Sequence, residues 1–193
     1  MFLMVNYMKK AIFLDRDGVI NKEVNYLIRK KDIKIINGVP EALKELKDRG
    51  FMLIVISNQP SVARGWVTKE GIEEINNEIN RRIKEKSDIE IDKFYFCPHH
   101  PNATLKKFRK ICKCRKPCPG MILQATKEFD INLEESWVIG DRISDIATGK
   151  EVGCKTILIE KEYSYNKIEG KDFNINIKPD FKAKDLFAAI KKI

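Results

Sequence analysis

The sequence contains no apolar run of membrane-spanning length, which would need about 20 residues. Its apolar start, MFLMVNYMKK, puts the lysines after the hydrophobic residues, the reverse of a secretory signal, so a cytoplasmic location is expected. Internal repeats, low-complexity tracts and flexible linkers are missing, and one domain across residues 1–193 follows. There is no Cys-x-x-Cys pair, which weighs against a redox centre, and Cys114-x-x-x-Cys118 is a poor substitute. Aromatic residues make up only 9%, with no aromatic-rich or kinase-like region, which weighs against a nucleic-acid reader. No coiled-coil pattern is present, and a monomer is expected.

A chain that is 43% hydrophobic and 34% charged is a soluble globular one. Its formal net charge of +9 favours anionic partners: nucleic acid, a membrane surface or phosphorylated small molecules. The ordinary alternative is that the lysines serve solubility.

Apolar runs of strand length alternate with amphipathic stretches. AIFLD (11–15), FMLIVIS (51–57), KFYFC (93–97), SWVIG (136–140) and KTILIE (155–160) read as strands. Between them, one helix opens at Pro40 and stops at Gly50. Thr68 caps a second, whose Ile72, Ile75, Ile79 and Ile83 form one stripe. PGMILQATKEF (119–129) is a third, Ser144 is expected to cap a short fourth, and DLFAAIKKI (185–193) closes the chain. Residues 161–178 read as irregular loop. The pattern predicts an α/β fold: a three-layer, Rossmann-like parallel sheet with helices on both faces. Ligands of such sheets sit beyond the carboxyl ends of the strands.

Carboxylates gather at those ends. Asp15 and Asp17 follow the first strand, and in extended chain their side chains point the same way. Such a pair can attack, move a proton and hold a hard cation such as Mg²⁺. Asp141 ends a later strand with Asp145 four residues on; Ser57 ends another, and Lys116 can neutralise a phosphoryl group. Singly, each has a plain structural reading as a turn or cap. Together they fall at one edge of the predicted sheet.

Four of the five cysteines and both histidines lie between Cys97 and Cys118. Cys97-x-His99, twelve residues, then Cys112-x-Cys114 gives two pairs, each able to grip one ion. Three thiolates and an imidazole saturate tetrahedral Zn²⁺ and make a structural site, whose −1 charge Lys113 and Arg115 can balance. His100 is the alternative to His99. The site braces Cys114 and so fixes where Arg115 and Lys116 enter. ATLKKFRKI (103–111) is a weak candidate for a recognition helix, and Cys154 reads as a small core residue.

AIFLDRDGVIN, VISNQ, CRKP and WVIGDRISDI, in order over residues 11 to about 159, resemble the four motifs of the haloacid dehalogenase (HAD) superfamily of phosphotransferases. The cysteine segment and the ARG of residues 63–65 are similar to its small-cap branch, which holds heptose-bisphosphate and histidinol-phosphate phosphatases. The resemblance implies a minimal cap, a zinc-stabilised loop at 97–118 and Mg²⁺-dependent phosphatase activity. It implies that Asp15 forms an aspartyl-phosphate, that Asp17 is the acid and base, and that Asp15, the Asp17 carbonyl and Asp141 hold Mg²⁺. Ser57 and Lys116 would meet the transferring phosphate. Glu23 to Tyr26 and Ser57, Asn58 and Gln59 would line the sugar, and Arg115 would meet a second phosphate. Arg142 stands where the family often has lysine. His99 is the zinc ligand in the family pattern.

The expected substrate is a small phosphorylated sugar, with neither nucleic acid nor membrane as partner. The twelve-residue insert resembles the heptose branch: removal of the 7-phosphate of D-glycero-D-manno-heptose 1,7-bisphosphate, serving lipopolysaccharide or activated-heptose synthesis. The alternatives are a histidinol-phosphate phosphatase, a polynucleotide 3′-phosphatase and a nucleic-acid-binding zinc protein. Two departures stand out. Pro60-Ser61 replaces the family's Ser-Gly, so a reshaped phosphate loop is expected, and Cys118 replaces a histidine or lysine and is a further competitor for zinc.

Overall fold

The computed structural model describes residues 8–164 and 177–193. The first seven residues and the middle of the expected 161–178 loop lie outside the described residues. Strands β1 (Ala11–Leu14), β2 (Met52–Asn58), β3 (Lys93–Cys97), β4 (Trp137–Gly140), β5 (Lys155–Ile159) and β6 (Phe181–Ala183) form one sheet in the order β3-β2-β1-β4-β5-β6. Every pairing is parallel.

The strands are apolar on both faces because both faces are covered. Ile12, Leu14, Leu53, Val55 and Ile139 belong to one core with Leu43 and Leu46 of α1 (Val39–Asp48) and the isoleucine stripe of α3 (Lys69–Ser87). Phe13, Ile54, Ile56 and Val138 face the other way, against Met121, Ile122 and Ala125 of α4 (Gly120–Phe129). Truncating any of the buried Leu, Ile, Met or Phe side chains among these to alanine costs about 2–5 kcal/mol. Thr68 caps α3 as expected, accepting from the Gly71 N–H at 3.0 Å, and Gly50 takes a positive φ of 80° just past α1. No helix among the described residues is long and apolar enough to cross a membrane.

Three expectations are corrected. Ser144 does not cap α5 (Ile143–Glu151) but lies inside it; the Asp145 carboxylate accepts from the Arg142 N–H at 3.0 Å instead, because its reach from the third helical position suits that bond. The closing helix is one α-helical turn, α6 (Leu186–Ala189), capped by Asp185 and followed by a 3-10 turn, Ile190–Lys192. β6 was not anticipated: it is a three-residue edge strand with two exposed positions and so carries no apolar run.

The strand order reverses at β1, whose neighbours are β2 on one side and β4 on the other. Such a switch point opens a crevice beyond the strand ends. Asp15 leaves β1 and Asp141 leaves β4 at that crevice.

Candidate active site

Two glycines let the carboxylates converge. Gly18 turns the chain after β1 with φ of 85°, and a Cβ there would sit 1.8 Å from Asp141 Oδ2. A Cβ on Gly140 would sit 2.2 Å from the Asp145 Cβ, so only glycine admits the first turn of α5 this close to the end of β4. As a result, oxygens of Asp15, Asp141 and Asp145 lie within 4.8 Å of one another. The Asp145 carboxylate joins the expected Asp15 and Asp141; for Asp17 the expectation concerned its backbone carbonyl, not its carboxylate.

The cation in direct contact is Lys116, which is almost fully buried. Its Nζ lies 2.9 Å from Asp15 Oδ1 and 2.7 Å from Asp145 Oδ1, and donates to the Ile56 carbonyl at 2.8 Å. One lysine against three carboxylates leaves a formal −2. Burial, opposed by Lys116 and reinforced by Asp145 and Asp141, pushes the Asp15 carboxyl up to about 8. Burial and then the charge of Asp145 push Asp141 up to about 6, although Tyr163 donates to it at 2.7 Å. Lys116 responds in the opposite direction: burial works to lower it, but Asp145 and Asp15 together raise it and keep it charged.

Asp17 is treated differently. Arg16, fully buried, donates to it from Nε at 3.3 Å and from its terminal nitrogen at 2.8 Å. Asn21 adds a bond at 2.8 Å and Gln59 another at 3.0 Å. Burial works to raise its pKa, but the Arg16 charge and these donors prevail and hold the carboxyl below its ordinary value. Arg16 in turn donates to Asn76 at 3.2 Å. Arg16 and Asn76 were missed from the sequence, yet Asn76 is a polar residue inside the isoleucine stripe of α3, and that was the available signal.

The trio suits a divalent cation. Asp141 Oδ1 is buried with no hydrogen-bond partner among the described residues, all the donors are hard oxygens, and the uncompensated charge is −2. The sulfur cluster suits a different ion. Cys97, His99, Cys112 and Cys114 converge as the spacing predicted, with S···S distances of 3.1–3.5 Å and S···Nδ1 distances of 3.3 and 3.7 Å. A zinc tetrahedron with bonds of about 2.3 Å to sulfur and about 2.0 Å to nitrogen has edges of about 3.5–3.8 Å, so the sulfurs lie slightly closer together than a bound ion would hold them. The thiols are free rather than disulfide-bonded. Cys118 is outside this group, and Cys154 is a buried core residue as expected. Residues 103–111 form only a 3-10 turn at Lys106–Phe108, so they supply no recognition helix.

Immediately after Cys114 come Arg115 and Lys116. The Asn58 side chain clamps Lys116 on both sides: its Oδ1 accepts the Lys116 N–H and its Nδ2 donates to the Lys116 carbonyl, each at 3.0 Å. The cysteine loop and β2 thus meet at the lysine. A cavity of about 460 Å³ lies above, lined by Asp15, Asp17, Glu23, Tyr26, Asn58, Gln59, Arg115, Lys116 and Arg142 among the expected residues. Ser57 is not in the lining; it is buried and accepts from Gln59 at 3.2 Å. Pro60 sits at the first position of the short helix α2 (Pro60–Ala63), where a missing N–H and a fixed φ cost nothing. Arg64, His100, Ser144 and Asp145 also line the cavity and were not expected there.

Comparison with known proteins agrees with this geometry. A family model described as HAD-hydrolase-like matches residues 113–189. The chain is 38% identical over 150 residues to the D-glycero-beta-D-manno-heptose-1,7-bisphosphate 7-phosphatase of Yersinia pestis, covering 77% of this chain and 79% of that protein. It is 39% identical to the Escherichia coli K12 enzyme of the same name, covering 77% and 78%. Among solved structures, a putative HAD-like phosphatase from Mesorhizobium loti superimposes with a TM-score of 0.80 at 25% identity, covering 96% of this chain and 87% of that one. A D,D-heptose 1,7-bisphosphate phosphatase from B. bronchiseptica, complexed with magnesium and phosphate, gives a TM-score of 0.77 at 23% identity, covering 95% and 97%.

Proposed function

The chain belongs to the HAD-like hydrolases, in the family of the heptose-1,7-bisphosphate 7-phosphatases, and on that premise we propose that it hydrolyses the 7-phosphate of D-glycero-D-manno-heptose 1,7-bisphosphate. The observation that carries the reading is the buried carboxylate–lysine cluster at the sheet's switch point, in a chain this similar to those enzymes. It acts as a cytoplasmic monomer on a small sugar bisphosphate, not on nucleic acid.

Asp15 is the nucleophile. Its Oδ1 accepts from the Arg16 N–H at 2.7 Å and pairs with Lys116, so the carboxylate is held rigid. Its other oxygen attacks phosphorus as the bond to the sugar oxygen breaks, giving an aspartyl-phosphate. Asp17 supplies the proton that the leaving oxygen needs and later takes one from the water that hydrolyses the acyl-phosphate. The donors around Asp17 favour its ionised form and so suit the second role; the negative charge of a bound phosphate raises its proton affinity for the first. Lys116 balances charge on the transferring group, and Gln59, bonded to both Asp17 and Ser57, keeps the acid–base residue aimed.

Asp15, Asp141 and the Asp17 carbonyl, with Asp145 beside them, would hold Mg²⁺, whose positive charge when bound offsets the repulsion between a dianionic phosphate and a carboxylate nucleophile. Cys97, His99, Cys112 and Cys114 would hold a structural Zn²⁺. A phosphate-release panel with Mg²⁺ tests the assignment, comparing heptose 1,7-bisphosphate, histidinol phosphate and a 3′-phosphorylated oligonucleotide. The highest kcat/KM is expected on the heptose bisphosphate. Fastest turnover of either of the others overturns it.

A further inference from the structure

The cavity lining also carries an arginine that lies against two aromatic rings. The Arg64 guanidinium carbon lies 4.8 Å from the Tyr26 ring centroid and 5.0 Å from that of Trp66. The rings themselves meet edge to face at 4.9 Å and 80°. Core packing does not explain this group, since Trp66 is 51% exposed. Tyr26 is held at φ of 79° and Asn25 before it at 51°, conformations that cost a non-glycine residue free energy and gather at functional sites. Arg64 follows α2, its N–H bonded to the Pro60 carbonyl at 3.0 Å, so the side chain leaves from a fixed point. Among the described residues no carboxylate pairs with it, unlike Arg81 and Arg82 of α3, both paired with Glu78.

Two ring contacts hold the Arg64 side chain in place while no carboxylate among the described residues takes its N–H fork, which fits two oxygens of a phosphate. The reacting phosphate already has Lys116 and the metal-binding cluster. A sugar bisphosphate brings a second dianion into the same cavity. Arg115 alone does not match it, because one of its terminal N–H groups donates to the His99 carbonyl at 3.2 Å.

We propose that Arg64, held against Tyr26 and Trp66, grips the phosphate that is not hydrolysed and so selects bisphosphates over monophosphates. This rests on the sugar-bisphosphate reading above, and it assigns the selecting cation to the loop after β2 as well as to the zinc loop.

The test compares kcat/KM on heptose 1,7-bisphosphate and on heptose 7-phosphate for wild type, Arg64→Ala, Arg64→Lys and Trp66→Ala. Charge-assisted bonds of this kind correspond to about a 10- to 100-fold loss. Arg64→Ala is expected to lose that factor on the bisphosphate, mostly in KM, and less than about threefold on the monophosphate. Arg64→Lys is expected to recover part of it. Trp66→Ala, an exposed change that leaves the core intact, is expected to lose a smaller factor in the same selective way. Inhibition by the product heptose 1-phosphate is expected to weaken in parallel. Equal losses on both substrates, or unchanged inhibition by the product, overturn the role of Arg64 while leaving the phosphatase assignment standing. A wild-type enzyme inactive on the bisphosphate but active on another substrate overturns both.

Discussion

Asn58→Ala isolates the joint between the cysteine loop and the lysine proposed to meet the phosphate. The Asn58 side chain lines the cavity, and its two hydrogen bonds go to the backbone N–H and carbonyl of Lys116. Removing them leaves two part-buried backbone groups without partners, at about 1–3 kcal/mol each. The chain relieves this in one of two ways. If Lys116 stays in place, the fold loses about 2–6 kcal/mol. If the backbone shifts to find water, Nζ leaves its positions 2.9 Å from Asp15 and 2.7 Å from Asp145, and a displacement of about 1 Å there costs on the order of 100-fold in kcat. The expected outcome is a mixture: kcat lower by about 10- to 100-fold, KM changed far less, and a urea midpoint shifted down. Stopped phosphate-release kinetics beside urea unfolding read both parts. Asn58→Asp keeps the acceptor for the Lys116 N–H and should fall between the two. Wild-type kcat and wild-type stability together in Asn58→Ala would refute the reasoning.

The proposed zinc brace makes a related demand. Cys112→Ser, or removal of zinc by a chelator, is expected to lower kcat about tenfold or more while magnesium binding persists, because the carboxylate cluster rests on β1, β4 and α5 rather than on the loop. Full activity in protein shown by elemental analysis to lack zinc contradicts it. At the far edge of the sheet, Asp180 accepts from the Thr156 N–H at 2.7 Å, from its hydroxyl at 2.8 Å and from Lys150 at 2.5 Å. Burial works to raise this carboxyl, but Lys150 and Thr156 prevail and lower it, so its stabilisation is present above the ordinary carboxylate pKa and is lost as pH falls through the depressed value. Asp180→Asn is therefore expected to lower the urea midpoint at pH 7 and to change it little near pH 3; an equal effect at both pH values argues against this linkage.

Most of the scaffold was legible because its physics is local. Both-face burial writes continuous apolar runs such as FMLIVIS, and helix burial writes the 72-75-79-83 stripe, so strands β1 to β5 and the long helices stand out. Asp15 and Asp141 were legible because position at a strand end is itself a local property. The Cys-x-His and Cys-x-Cys pairs carried their own geometry. What stayed hidden depends on partners distant in sequence. Nothing local says that Asn58 will clamp a lysine 58 residues away, or that Arg16, a charged residue in a turn, will be fully buried between Asp17 and Asn76. Asp145 took the capping role expected of Ser144 and joined the carboxylate cluster because Gly140 lets α5 approach β4 so closely, a three-dimensional consequence of one missing Cβ. Ser57 looked like a phosphate donor from its place at a strand end, yet its burial beneath Gln59 is set by the packing of the next loop. The Arg64 stack was hidden for the same reason, since Tyr26 comes from a different loop than Arg64 and Trp66.

The central claim is covalent chemistry at Asp15. Enzyme mixed with heptose bisphosphate, quenched within a single turnover and treated with borohydride, is read by peptide mass spectrometry. Conversion of Asp15 to homoserine, absent in the Asp15→Asn variant, is the expected result. Reduction at any other carboxylate, or full activity in Asp15→Asn, would contradict the account.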